Sequence, residues 1–235
     1  SNSIPNGYAF SGLHCGIKPD DEPDLALVLS EVPCSAAAVF TQNLYAAAPV
    51  QYDRQLLELN ANGVQAVLVN SGNANAITGV EGLAATRRSA EACEVVLGTA
   101  PWSTFVMSTG IIGEPLPVDR IEATLPELYQ SLSPTADGIA AAARAIMTTD
   151  TRPKTRIGQG KMGGVRVSVA GIAKGAGMIH PNMATMLSVI TTDAAISPAV
   201  LKLALKRVAD HSFNRISVDG DTSTNDTVVV LANGL

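Results

Sequence analysis

Residues 165–192 read VRVSVAGIAKGAGMIHPNMATMLSVITT. The β-branched run Val165–Ala173 predicts a strand, and so does the apolar run Met186–Thr192. Between them lie one lysine, Lys174, and a loop of small and turn-forming residues. No helix separates the two strands. A doubly wound sheet places a crossover helix after each strand, so this stretch predicts an α/β protein with a mixed sheet.

The rest of the chain supports that class. Leu25–Leu29 and Ala36–Thr41 read as short buried strands around a turn at Pro33. Val64–Val69 is a strand that ends in the polar loop Asn70–Asn75. Thr78 and Glu81 have the spacing of a capping box, and Gly98 follows the last apolar residue, so a helix is predicted over 79–97. Thr104–Met107 is a strand ending in Ser108-Thr109-Gly110. Asp137–Met147 is an alanine-rich helix that runs into Thr148-Thr149-Asp150-Thr151. Ser197-Pro198 opens a helix to about Asp210. Thr227–Ala232 is a last strand close to Leu235, and its pairing implies further sequence beyond.

Composition narrows the function classes. Of the 235 residues, 46% are apolar and 16% charged, which suits a large core of small aliphatic side chains. The net charge of −5 argues against nucleic acid and against an anionic membrane surface. No apolar run reaches the ~18 residues of a membrane span, and no signal peptide is expected. Cys15, Cys34 and Cys93 fit no zinc or redox spacing and read as reduced cysteines of a cytosolic protein.

The chemistry concentrates on loops at strand ends. A threonine hydroxyl needs a base beside it, and its own α-amine serves only when the preceding peptide bond is cut. Ala184-Thr185, a small residue before a threonine at the head of an apolar run, has the form of such a self-cleavage site. Thr109-Gly110 offers a hydroxyl and a backbone N–H to one point, as an oxyanion requires; from these residues alone, a strand-ending turn in which glycine relieves backbone strain is the better reading. Lys174 alone reads as a solvated strand end, Thr185 as a strand residue, and Thr148, Thr149 and Thr151 as polar groups ending a helix. His180 is near enough to Thr185 to act as a base, but Pro181 makes a turn role as good a reading.

Other motifs do not survive inspection. Gly158–Gly163 spells a dinucleotide fingerprint but precedes a strand, where the mechanism requires it to follow one. Asp219–Asp226 has alternating oxygen ligands, yet its glycine is misplaced for a calcium loop and the bidentate Glu is missing. A hydrogen-bonded turn is the better reading. No metal site emerges.

Several segments in order resemble the bifunctional ornithine acetyltransferase family (glutamate N-acetyltransferase, arginine biosynthesis). They are Gly12–Lys18 with Asp24–Leu27, Asn70–Ala76, Ser108–Gly113, Met147–Thr151, Lys174–Leu187 and Asp219–Asp226. The resemblance implies a self-processing, layered α/β sandwich with mixed sheets. Residues 1–184 would form an α chain and 185–235 the opening part of a β chain. Thr185 would be the nucleophile and new N-terminus, Thr109 and Gly110 the oxyanion hole, and Thr151, Lys174 and Thr185 the substrate contacts. Further contacts, a glutamate and C-terminal Asn and Thr residues, would lie beyond Leu235. The implied reaction is ping-pong transfer of acetyl from N-acetylornithine to glutamate, with acetyl-CoA as a second donor in bifunctional members. No metal or organic cofactor is implied. The assembly would be a heterotetramer of two α and two β chains, in the cytoplasm, or in the mitochondrial matrix or plastid of a eukaryote. Two other readings stay open: an aminopeptidase or amidase on the same architecture, and a non-catalytic binding domain.

Overall fold

The computed structural model describes residues 4–176, 186–213 and 223–235. Along the chain these form β1 (Tyr8–Leu13), β2 (Leu25–Phe40), α1 (Ala48–Asn60), β3 (Val64–Asn73), α2 (Gly79–Leu97), β4 (Thr104–Ile111) and α3 (Val118–Gln130). Then come α4 (Ala136–Ala145), β5 (Lys154–Met162), β6 (Val165–Lys174), β7 (Leu187–Thr192), α5 (Pro198–His211) and β8 (Thr227–Ala232).

The strands hydrogen-bond in the order β4-β3-β2-β8-β7-β6-β5, with β1 against the first half of β2. The sheet is mixed. β3–β4 and β7–β8 are parallel pairs, each bridged in sequence by a helix. β6–β7 is antiparallel.

Alternate strand residues face opposite sides, and this builds the layers. Val229 and Leu231 of β8 enter a central core with Ala26 and Val28 of β2, Val67 and Val69 of β3, Ala170 and Ile172 of β6, and Ile139 and Ala142 of α4. Their neighbours Val228 and Val230 pack with Leu201 and Leu205 of α5. Likewise Leu25 and Leu27 turn away from the central core toward Ile121 and Leu125 of α3.

Two local expectations are corrected and one refined. Pro33 makes no turn: β2 is one 16-residue strand. Its register against β3 shifts between Leu29 and Cys34, and a bulge of this kind tolerates a residue without an N–H. Beyond the bulge the strand leaves β3 and pairs with β8. Thr78 does not close a capping box, because its hydroxyl donates to Asn75 Oδ1 at 2.8 Å. Ser197 is the N-cap of α5 without a side-chain cap bond. Other expectations match: α2 spans 79–97 and ends at Gly98 in the left-handed region (φ 68°), and β8 spans 227–232. The dinucleotide-like run lies in β5, paired residue for residue with β6 across the positive-φ turn Gly163-Gly164.

Candidate active site

β3 and β4 are parallel neighbours, so their C-terminal ends emerge side by side, with Ser71 opposite Thr109 and Gly72 opposite Gly110. The two glycines touch. A Cβ on Gly110, whose φ is 137°, would stand 2.2 Å from the carbonyl carbon of Gly72. Only glycine permits this approach. The sequence reading ended the β4 strand at Met107; hydrogen bonding carries it to Ile111, so Thr109 and Gly110 sit on a strand end and not in a free turn.

Lys174 closes β6, and it is not a solvated strand end. It is 3% exposed. Its Nζ donates to Thr109 Oγ1 at 3.0 Å and to Thr148 Oγ1 at 2.6 Å. Burial pulls its pKa below the usual lysine value; Asp150 and Asp226 oppose this, while Lys154 and Lys18 add to it. An ammonium has no lone pair to offer. Thr109 Oγ1 therefore accepts from Lys174, and its own hydrogen is left to point elsewhere.

Asp150 organises the cations. It is buried and forms an ion pair with Lys154. Its Oδ1 also accepts from the Gly175 N–H at 2.9 Å, one residue past Lys174. Burial by itself would raise its pKa, but the Lys154 ammonium and the Gly175 N–H outweigh this and hold the carboxyl below its ordinary value.

On the other side, the turn 223–226 is buried. Asn225 Nδ2 donates to Ser108 O at 2.8 Å and to Ala74 O at 2.6 Å. Asp226 Oδ1 accepts from the Met186 N–H at 2.8 Å.

The structure thus joins Thr109, Gly110 and Lys174, three of the predicted site residues. Thr151 is exposed; the threonine that reaches the lysine is Thr148. Ala184, Thr185 and His180 lie outside the described residues. Sequence reasoning missed Asp150, Asn225 and Asp226 as site residues. The first sits in the polar run Thr148–Thr151 and the other two in Asp219–Asp226; both segments carry the family resemblance, but neither singles out its Asp or Asn residues. Among the described residues no group of three or more His, Cys, Asp or Glu side chains could hold a metal, and no helix is long and apolar enough to cross a membrane.

Fold and site define a layered, mixed-sheet α/β protein with a buried lysine behind a Thr-Gly strand end. The chain belongs to the ArgJ family, whose model matches residues 9–235. It is 49% identical over 240 residues to the mitochondrial arginine biosynthesis bifunctional protein ArgJ of Neurospora crassa, covering 100% of this chain and 51% of that protein. The chain spans about half the length of the curated relatives it matches. The crystal structure of arginine biosynthesis bifunctional protein ArgJ from Bacillus halodurans superposes with a TM-score of 0.73 at 38% identity, over 77% of this chain and 94% of that one. Ornithine acetyltransferase from Mycobacterium tuberculosis, solved in complex with ornithine, superposes at 0.68 and 35% identity, over 79% and 96%.

Proposed function

We propose that this chain is the self-processing half of an N-terminal-threonine acyltransferase that moves acetyl from N-acetylornithine to glutamate in arginine biosynthesis. The observation that carries the reading is the 3.0 Å contact of the buried Lys174 ammonium with Thr109, beside the glycine-only approach of Gly110 to Gly72. This gives a rigid, positively backed pair of donors of the kind an acyl-transfer oxyanion needs.

In the proposed sequence the Thr185 hydroxyl attacks the Ala184 carbonyl, and water hydrolyses the resulting ester. The freed α-amine, with a reference pKa of about 7.7–8.0, serves as general base. The Thr185 hydroxyl then attacks the acetyl carbonyl of N-acetylornithine, the Thr109 hydroxyl and Gly110 N–H receive the oxyanion, and ornithine leaves. Glutamate's amine takes the acetyl group from Thr185 in the second half-reaction. Thr151 and Lys174 belong to the substrate side of this site, and acetyl-CoA is the second donor of a bifunctional enzyme.

Cleavage would divide the chain into 1–184 and 185–235. The solved Bacillus and Mycobacterium chains cover 77% and 79% of this chain, a share in keeping with residues 1–184, which make up 78% of it. Two α and two β chains would complete a heterotetramer, working in the cytoplasm of a bacterium or in an organelle, as the mitochondrial relative does. Water would replace glutamate in an aminopeptidase of the same architecture; kinship with arginine biosynthesis proteins favours transfer.

The test is mass spectrometry of the purified full-length protein, with acetyl transfer assayed alongside. Two fragments are expected, the second beginning at Thr185, with turnover dependent on glutamate. Thr185→Ala should remain one chain and be inactive. Continued cleavage of Thr185→Ala at this bond overturns the assignment.

A further inference from the structure

The turn before β8 touches both halves of the proposed site. Asn225 is buried, and its side chain is fully committed. Its two Nδ2 hydrogens go to Ser108 O and Ala74 O, 117 and 151 residues away in sequence. Its Oδ1 accepts from Thr224 Oγ1 at 2.7 Å. An amide supplies two donors on one nitrogen; a carboxylate of the same size supplies none. Both partners are carbonyl oxygens, which also fixes which way the amide points.

What Asn225 grips bears on the chemistry. The Ser108 carbonyl belongs to the same rigid peptide plane as the Thr109 N–H. Holding that oxygen fixes the plane from which Thr109 starts. The Ala74 carbonyl belongs to the loop after β3, and the Ala74 N–H donates to Ile111 O at 2.8 Å, one residue past Gly110. Ser108 Oγ is tied in turn to Asn70 Oδ1 at 2.6 Å. The Thr109-Gly110 pair is therefore fastened on both sides, and Asn225 holds a bond on each.

The next two residues grip the other partner. Asp226 Oδ1 accepts the Met186 N–H at 2.8 Å, and the Thr227 N–H donates to Met186 O at 3.0 Å. Met186 follows Thr185 directly. Three consecutive residues, 225–227, thus hold the oxyanion segment and the first described residue after Thr185.

We propose that Asn225 is a positioning residue, which fixes the Ser108–Thr109 peptide and so the aim of the oxyanion donors Thr109 and Gly110, while Asp226 and Thr227 hold Met186 beside it. The proposal rests on the reading of Thr185 as nucleophile. It assigns no substrate contact to Asn225. Its effect runs through the Ser108–Thr109 peptide, and a shift of about 1 Å in such a group is enough to cost on the order of 10²-fold.

The test uses the full-length enzyme. Asn225→Ala should lower kcat for acetyl transfer by about tenfold to a hundredfold, slow self-cleavage, and leave KM for both substrates within about twofold. Thr109→Ala alone should lower kcat by ~10²–10³. In the double variant the combined loss should be clearly smaller than the product of the two single losses, because Asn225 acts largely through Thr109. A merely structural asparagine would lower Tm and give losses that multiply. If Asn225→Ala does not fold, Asn225→Ser, which keeps one small donor, takes its place with the same expectations. A folded variant with kcat within about twofold of wild type, or fully multiplicative losses, overturns the positioning role and leaves the Thr185 assignment standing. Wild-type protein that shows no fragment beginning at Thr185 overturns the nucleophile reading instead, before any Asn225 variant is made.

Discussion

Lys174 and Thr109 stand 65 residues apart in the chain, and their side chains meet at 3.0 Å between Nζ and Oγ1. The contact places a buried strand-end cation against Thr109, the residue proposed as an oxyanion donor. A lysine that faced only a substrate carboxylate would act on binding; one that donates to Thr109 orients the hydroxyl and strengthens it as a donor. Lys174→Met keeps the apolar stem and removes the charge. The expected result is a fall in kcat of about tenfold or more from the lost contact with Thr109, together with a higher KM from the lost substrate contact proposed for Lys174. Steady-state kinetics with both substrates varied decides it. A rise in KM with kcat intact would move the lysine from Thr109 to the substrate.

The same burial has a pH signature. Lys174 titrates below the ordinary lysine value of 10.5 in the folded protein because burial disfavours its charged form. Between its folded pKa and 10.5 the unfolded chain binds more protons than the native one, so stability rises with pH in that window. The contribution is fully present above 10.5 and is lost as pH falls through the folded pKa. Wild type should gain stability relative to Lys174→Met as pH is raised from neutrality toward 10.5. Urea denaturation of both proteins at several pH values measures this, and a pH-independent difference would contradict it.

Thr148 and Thr151 lie three residues apart but have different surroundings. Thr148 accepts from Lys174 at 2.6 Å, whereas Thr151 is exposed. Thr148→Val keeps the shape and takes away one acceptor of a buried ammonium, a loss of about 1–3 kcal/mol. Thr151→Val should change stability by no more than about 0.5 kcal/mol. In its proposed role as a substrate contact, Thr151 should show its loss as a higher KM. Thermal unfolding and kinetics on the two variants separate a residue that supports Lys174 from one that meets substrate.

Much of this architecture could be read from the chain, and the unread parts share a cause. The span of α2 was legible because its C-terminal glycine is a local signal, even though the capping box read at its start does not form, and β8 because its run is continuously apolar. Pro33 misled because a bulge depends on the partner strand, which no local pattern shows. β5 is mostly exposed, with residues such as Arg156 and Lys161, and so lacked the apolar alternation that marks a strand. In the site, Thr109 and Gly110 stood out as a pair, but nothing near residue 174 says that its ammonium will cross to residue 109. Asn225 was hidden for the same reason. Its two carbonyl partners are supplied by β4 and by the loop after β3, and only the folded sheet brings them to one amide.

Gly72 and Gly110 carry the sharpest steric claim. A Cβ at position 110 would stand 2.2 Å from Gly72 C and 2.5 Å from Asn73 N, both backbone atoms that cannot rotate away. The φ of 137° adds backbone strain for any L side chain. Gly113 is the control: its φ is also positive, at 86°, but a Cβ there meets nothing within 4 Å. Gly113→Ala should therefore cost only the conformational strain, about 1 kcal/mol. Gly110→Ala should cost that plus about 1–3 kcal/mol for forcing β3 and β4 apart. Because the displaced strand end is the proposed oxyanion segment, kcat should fall with stability in Gly110→Ala and stay near wild type in Gly113→Ala. Urea midpoints and kcat for the two variants check this, and equal effects at both positions would show that the contact between the strand ends is not what demands glycine at 110.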